Sequence, residues 1–178
     1  MAKHSPYLFV HAGVVSFRNR AIVIPGLSFA GKSTLVRELV RQGCVYYSDE
    51  YAVLDEHGQV HSYLKPLSLR APNTSTRQVP LKELGGGHPR LPIPVRLIVS
   101  ARYCRDAAWR PLPMSEAQSM LVLMENTVMA RSRPQDTMRR LSAAVRNTTA
   151  LVGERGDAET CAAEILSQVS SARAERFA

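Results

Sequence analysis

Apolar residues along the chain follow two rhythms. Leu8–Val10, Val14–Phe17 and Ala21–Ile24 are short runs rich in β-branched and aromatic residues, separated by His11-Ala12-Gly13 and by Arg18-Asn19-Arg20. They predict three strands, the last two joined as a hairpin. From Lys32 the rhythm changes: Leu35, Val36, Leu39 and Val40 share one helical face and Gly43 stops the pattern, which predicts a helix over Lys32–Arg41. Val45–Tyr47 returns to strand rhythm and ends at Ser48-Asp49-Glu50. Tyr51–Leu54 and Gln59–Tyr63 then read as a second hairpin across Asp55-Glu56-His57-Gly58.

The rhythm is lost from Lys65 to Pro94, a stretch rich in Pro, Gly and polar residues that contains Gly85-Gly86-Gly87. It predicts a long surface loop or flap. Val95–Ala101 reads as a buried strand. Ser115 with Gln118 makes a capping box ahead of Met120, Leu121, Leu123 and Met124. Pro134 opens a second helix carrying Met138, Leu141, Ala144 and Val145. Ala150–Val152 is a short strand, and Asp157 caps a terminal helix through Ile165 and Val169. The methionines read as gap-filling core rather than a cofactor box. With no internal repeat, the expectation is a single α/β domain over residues 1–178: a mixed, twisted β-sheet with C-terminal helices.

Composition narrows the class. A chain of 178 residues is long enough to bury a core. No apolar run approaches a membrane span, and the opening Met-Ala-Lys-His-Ser-Pro lacks the apolar region of a signal peptide. The expected location is the cytoplasm, with no membrane partner. Cys44, Cys104 and Cys161 are odd in number and far apart, which suits scattered reduced thiols. His4, His11, His57, His61 and His88 show no zinc spacing. The formal net charge is +8, and from His57 to Ser115 nine Lys/Arg face only Glu83 and Asp106. That segment is either a solvated face or a surface for phosphates or an acidic substrate. The lack of aromatic-basic interleaving argues against nucleic acid.

The chemistry concentrates in Ile22-Val23-Ile24-Pro25-Gly26-Leu27-Ser28-Phe29-Ala30-Gly31-Lys32-Ser33-Thr34, which matches G-x-x-x-x-G-K-[ST]. Its fixed positions occur by chance in on the order of one chain in a hundred of this length. An apolar strand runs in and an amphipathic helix runs out. Gly26 and Gly31 permit backbone geometry that side chains block. Leu27, Ser28, Phe29 and Ala30 then supply inward N–H groups as an anion nest, reinforced by the helix dipole. Lys32 brings a charge to the β- and γ-phosphates, Ser33 offers a hydroxyl to Mg²⁺, and Thr34 completes the nucleotide-binding segment. The expected ligands are a nucleoside triphosphate, ATP, and Mg²⁺.

Such a site needs an acid near Ser33. The later strand Val95–Ala101 runs into Arg102 and offers none. Asp49 and Glu50, at the end of the strand after the phosphate-loop helix, are brought back toward the loop by a strand-loop-helix-strand unit. One assists the metal, and the other accepts a proton from an attacking hydroxyl.

With Val10-His11-Ala12-Gly13 ahead of a hairpin, the loop Gly26–Ser33 and the pair Asp49-Glu50, the chain resembles the catalytic domain of the HPr kinase/phosphorylase family, related in fold to phosphoenolpyruvate carboxykinases. The resemblance covers about residues 7–63; the remainder is similar to short stand-alone relatives found beside peptide-modifying genes. It implies that Lys32 and Ser33 hold phosphates and metal. It also implies that Asp49 sits near the metal and Ser33, that Glu50 is the base, and that His11 lies near the reacting phosphate. Glu50 stands where the family usually has Asp, and the family's phosphorylase motif and hexamer contacts are not evident after residue 95. The implied activity is ATP-dependent phosphorylation of a hydroxyl, a serine on a peptide or small protein, with room for an oligomer. Lys65, Arg70 and Arg77 are candidates to balance the transferring phosphoryl charge. The competing readings are a small-metabolite kinase and a nucleotide-binding regulatory or scaffold protein.

Overall fold

The computed structural model describes residues 5–26, 31–70, 76–84, 91–128 and 130–171. Its first strand, β1 (Leu8–Phe17), is unbroken, where the residue pattern predicts two strands parted at His11-Ala12-Gly13. The reason is a change of partner. Leu8–His11 pair with β4 (Tyr51–Leu54), whereas Ala12–Phe17 pair with β2 (Arg20–Pro25). The small residues at the changeover are buried within the sheet. The β1–β2 turn is two residues long, and Arg18 and Asn19 both take positive φ, 52° and 59°. That is the backbone a tight hairpin with native twist demands.

Helix α1 (Lys32–Arg41) follows β2, and β3 (Val45–Ser48) returns antiparallel to β1. β4 and β5 (Gln59–His61) form the second expected hairpin. β8 (Ile93–Tyr103) is a long strand that pairs with β5 through its start and runs parallel to β2 further on. β10 (Thr149–Arg155) lies parallel to β8 and carries the two-residue β9 (Leu112–Pro113) on its outer edge. The result is a mostly antiparallel, mixed sheet with a parallel trio β2, β8, β10. Helices α2 (Glu116–Glu125) and α3 (Pro134–Val145) fill the crossover from β8 to β10, and α4 (Ala158–Ser171) follows β10.

Alternation along the central strands builds two cores. Ala21, Val23 and Ile98 face Leu123 of α2 and Leu141 and Val145 of α3. Ile22, Ile24, Leu97 and Val99 face Leu35, Val36 and Leu39 of α1 and Cys161 and Ile165 of α4. Strands buried on both faces have no polar side, so β2 reads as a continuous apolar run. The caps form as expected: Ser115 and Gln118 make a reciprocal capping box, and Asp157 accepts from the Thr160 N–H at 2.9 Å.

The stretch after Lys65 differs from expectation. It holds a separate hairpin, β6 (Leu67–Arg70) with β7 (Thr76–Val79), and a single 3₁₀ turn at Leu81–Leu84. Leu67, Val79 and Leu84 are buried in the same core as α1. Three anchors spread over eighteen residues leave no local period, so the docking is invisible to pattern reading. No helix among the described residues is long and apolar enough to cross a membrane.

Candidate functional site

The central strand β1 ties the two halves of the candidate site together through its backbone. The His11 carbonyl accepts from the Gly26 N–H at 3.2 Å, and the Ala12 N–H donates to the Glu50 carbonyl at 3.2 Å. The first glycine of the phosphate loop and the second acid therefore bond to the two sides of a single peptide group, that between His11 and Ala12. Leu27, Ser28, Phe29 and Ala30 lie outside the described residues. The loop closes at Gly31, which takes φ +80° as the cap of α1. No side chain caps this helix and no acid stands in its first turn. No acid of its own first turn meets its positive dipole end.

Asp49 is the hub. Its Oδ2 accepts from Ser33 Oγ at 3.3 Å and from the Ser68 N–H at 3.1 Å. Tyr46 reaches Oδ1 with its hydroxyl at 3.1 Å while lying 3.0 Å from the Lys65 carbonyl, so one phenolic proton is shared between two acceptors. Burial, then the Asp49 charge, pushes the Tyr46 hydroxyl well above the usual phenol range. Lys32 is close enough to feel Asp49 as well. Desolvation lowers its pKa from the ordinary lysine value, and the Asp49 charge opposes that shift.

Glu50 points to the other side of the turn. Its Oε2 receives Lys65 Nζ at 2.7 Å, with the two side chains 39% and 50% exposed, so the acid stays accessible from solvent. The turn is held by Ser48, whose Oγ accepts from the N–H groups of Glu50 and Tyr51 at 3.1 and 3.0 Å. Hydrogen bonding to Glu50, the leading cause, raises the Lys65 pKa. The His11 imidazole stacks obliquely on Tyr51 at 4.6 Å between ring centroids, and Tyr51 meets Phe9 and Tyr63 edge-on. Among the described residues the His11 ring makes no hydrogen bond to either acid.

Lys32, Ser33, Asp49, Glu50 and the backbone of His11 are thus neighbours, and Thr34 is exposed on the first turn of α1. Of the three basic candidates, Lys65 reaches Glu50. Arg77 instead lines a groove with Arg41 and Glu83 at the far end of α1, and the side chain of Arg70 lies outside the described residues.

Sequence reasoning missed Arg155. It ends β10, is 3% exposed, and donates through Nη2 to the Gly31 carbonyl at 2.8 Å and through Nη1 to the Gly156 carbonyl at 3.0 Å. A buried guanidinium from the far strand thereby clamps Gly31, the second fixed glycine of the phosphate loop. The one available signal was the charged pair Glu154-Arg155 at the C-terminal end of an otherwise uncharged strand, where ligand crevices of α/β sheets form. Tyr46 and Ser68, the further partners of Asp49, had no sequence signal.

The fold is similar to that of the HPr(Ser) kinase/phosphatase from Coxiella burnetii, with a TM-score of 0.52 at 16% identity over 96% of this chain and 99% of that one. At that identity the likeness is one of fold. No protein-family model and no curated protein matches the sequence.

Proposed function

We propose that the chain is an ATP- and Mg²⁺-dependent phosphotransferase that phosphorylates a hydroxyl, with a serine on a peptide or small protein as acceptor. The observation that carries this reading is the Ser33–Asp49 contact beside the start of α1, with Glu50 next in the chain. A hydroxyl and a carboxylate oxygen side by side are hard oxygen donors of the kind Mg²⁺ takes, its remaining positions going to phosphate and water. The ion, when bound, neutralises charge on the β- and γ-phosphates.

The chain's own residues do the rest. Lys32 and the first N–H groups of α1 bind and orient the phosphates. Glu50 takes the proton of the acceptor hydroxyl as its oxygen bonds to the γ-phosphorus and the bond from that phosphorus to the β-phosphate bridge breaks, leaving ADP. Lys65 holds the Glu50 carboxylate in place and brings positive charge to the region where the phosphoryl group crosses. The His11 carbonyl fixes Gly26 relative to the acids, a positioning role.

The exposure of Glu50 and Lys65 favours an acceptor presented on a peptide over a metabolite enclosed in a pocket. Comparing free serine with serine-containing peptides as acceptors separates the two. The mechanism is tested with Glu50→Gln: transfer is lost while nucleotide binding is kept. Normal transfer by that variant removes Glu50 as the base. The likeness to the Coxiella burnetii kinase/phosphatase supports the phosphotransferase class through its fold.

A further inference from the structure

The candidate acids lie on one flank of the phosphate loop, in the turn between β3 and β4, strands that pair with β1. On the opposite flank the parallel strands β8 and β10 end at Tyr103 and Arg155. A cleft of about 700 Å³ opens there, bordered by Thr34 on the first turn of α1, Tyr103, Trp109, Arg155 and the beginning of α4. It has the size of a small-molecule site and lies outside the carboxyl ends of parallel strands, where α/β sheets bind ligands.

A triphosphate is an unbranched chain with its nucleoside at the end opposite the γ-phosphate. If its γ end meets Asp49 and Glu50, its other end runs past Thr34 toward this cleft. We propose that the cleft is the nucleoside subsite, receiving base and ribose; this rests on the phosphotransferase reading above. The charges of its walls agree. Four arginines line it against five acids, and several are already engaged. Glu38 is held by Arg37 and Arg41 at 2.8 and 2.9 Å, Asp157 caps α4, and Arg155 is turned onto Gly31. A near-neutral wall suits an uncharged base and ribose better than a further phosphate. Tyr103 is 57% exposed, with the Arg155 guanidinium 5.5 Å from its ring centroid. It offers an aromatic face for stacking, an interaction that tolerates any base.

Trp109 is the sole tryptophan of the chain, and it lines the cleft at 7% exposure with a buried Nε1 that has no hydrogen-bond partner among the described residues. It is a built-in reporter. The experiment titrates the wild type, Tyr103→Ala and Ala108→Phe with Mg-ATP and with Mg-tripolyphosphate, following Trp109 emission and thermal stability. Ala108 is exposed and lines the cleft, so the larger ring fills the space without entering the core. Both ligands are expected to stabilise the wild type, and ATP alone to change the emission. Each variant should weaken ATP about tenfold and leave tripolyphosphate within about twofold, which also shows that its phosphate site and fold are intact. If the variants bind ATP like the wild type, or weaken both ligands equally, the nucleoside lies elsewhere and the proposal falls while phosphate binding stands. If neither ligand stabilises the wild type, the phosphotransferase reading fails and takes the proposal with it.

Discussion

The clamp between Arg155 and Gly31 makes a quantitative claim about coupling. A Cβ placed on Gly31 would come within 2.4 Å of Arg155 Nη2, while its next contacts, at 3.6 and 3.9 Å, are ordinary. Gly31→Ala therefore has two costs. The left-handed backbone, φ +80°, costs about 1–2 kcal/mol for a residue with a side chain. Displacing the guanidinium forfeits its charge-assisted bond to the Gly31 carbonyl, about 1.5–3 kcal/mol. The sum is about 3–4 kcal/mol. Arg155→Met alone forfeits the same bond and returns part of the burial cost of a charge, a net loss of about 2 kcal/mol. In the double variant the bond is already gone and the Cβ has room, so the pair should cost about 3–4 kcal/mol rather than the additive 5–6. The assay is urea unfolding by circular dichroism without nucleotide, with m-values compared to confirm that all four proteins unfold alike. A coupling of about 2 kcal/mol is expected. Additivity within about 0.5 kcal/mol would refute the clamp.

Two further predictions concern titration and thiols. Asp136 is held below the usual carboxylate range: burial opposes the shift, but hydrogen bonds from Arg139 and Arg140 and the charge of Arg133 outweigh it. Its stabilisation is present above the unfolded value of about 3.9 and is lost as pH falls through the depressed folded value. Asp136→Asn should cost on the order of 2 kcal/mol at neutral pH, less than a fully buried pair, and the gap to wild type in unfolding midpoint should close in acid; a gap that stays constant with pH would contradict the assignment. All three cysteines are free; burial pushes the Cys44 and Cys161 thiols up to about 12, whereas Cys104 is partly exposed. A thiol-reactive dye should therefore label one cysteine quickly in the native protein and three after unfolding.

What could be read in advance was whatever is encoded locally. The amphipathic face of α1, the capping box at Ser115 and Pro134 at the first turn of α3 all place their information within a few residues, and the helices they predict formed. The run of β1 through His11-Ala12-Gly13 was hidden because β2 pairs with only its second stretch, and the first is held by β4, whose partners Tyr51–Leu54 lie outside any local window. The hairpin β6–β7 was hidden for a related reason. Its strands are held by Leu67 and Val79 against α1 and by the Ser68 N–H on Asp49, contacts that leave only a Pro- and Gly-rich texture in the sequence. The proximity of Ser33, Asp49 and Glu50 followed from topology, because a strand-loop-helix-strand unit returns its ends to one edge. Arg155 did not follow, since its role depends on which strand neighbours β8.

The central claim is that residues Gly26–Ser33 and the acids beside them form one phosphotransfer site. The most direct measurement is transfer of labelled γ-phosphate from Mg-ATP to serine-containing peptides by wild type and by Lys32→Ala, with the thermal shift of each protein recorded alongside. The account predicts a stabilisation of about 2.7 kcal/mol for wild type at a hundred times the dissociation constant and label in the peptide, both lost in Lys32→Ala. Wild type that is stabilised by Mg-ATP yet labels no peptide above the Lys32→Ala control would leave a nucleotide-binding protein without transfer, and no stabilisation at all would contradict the site itself.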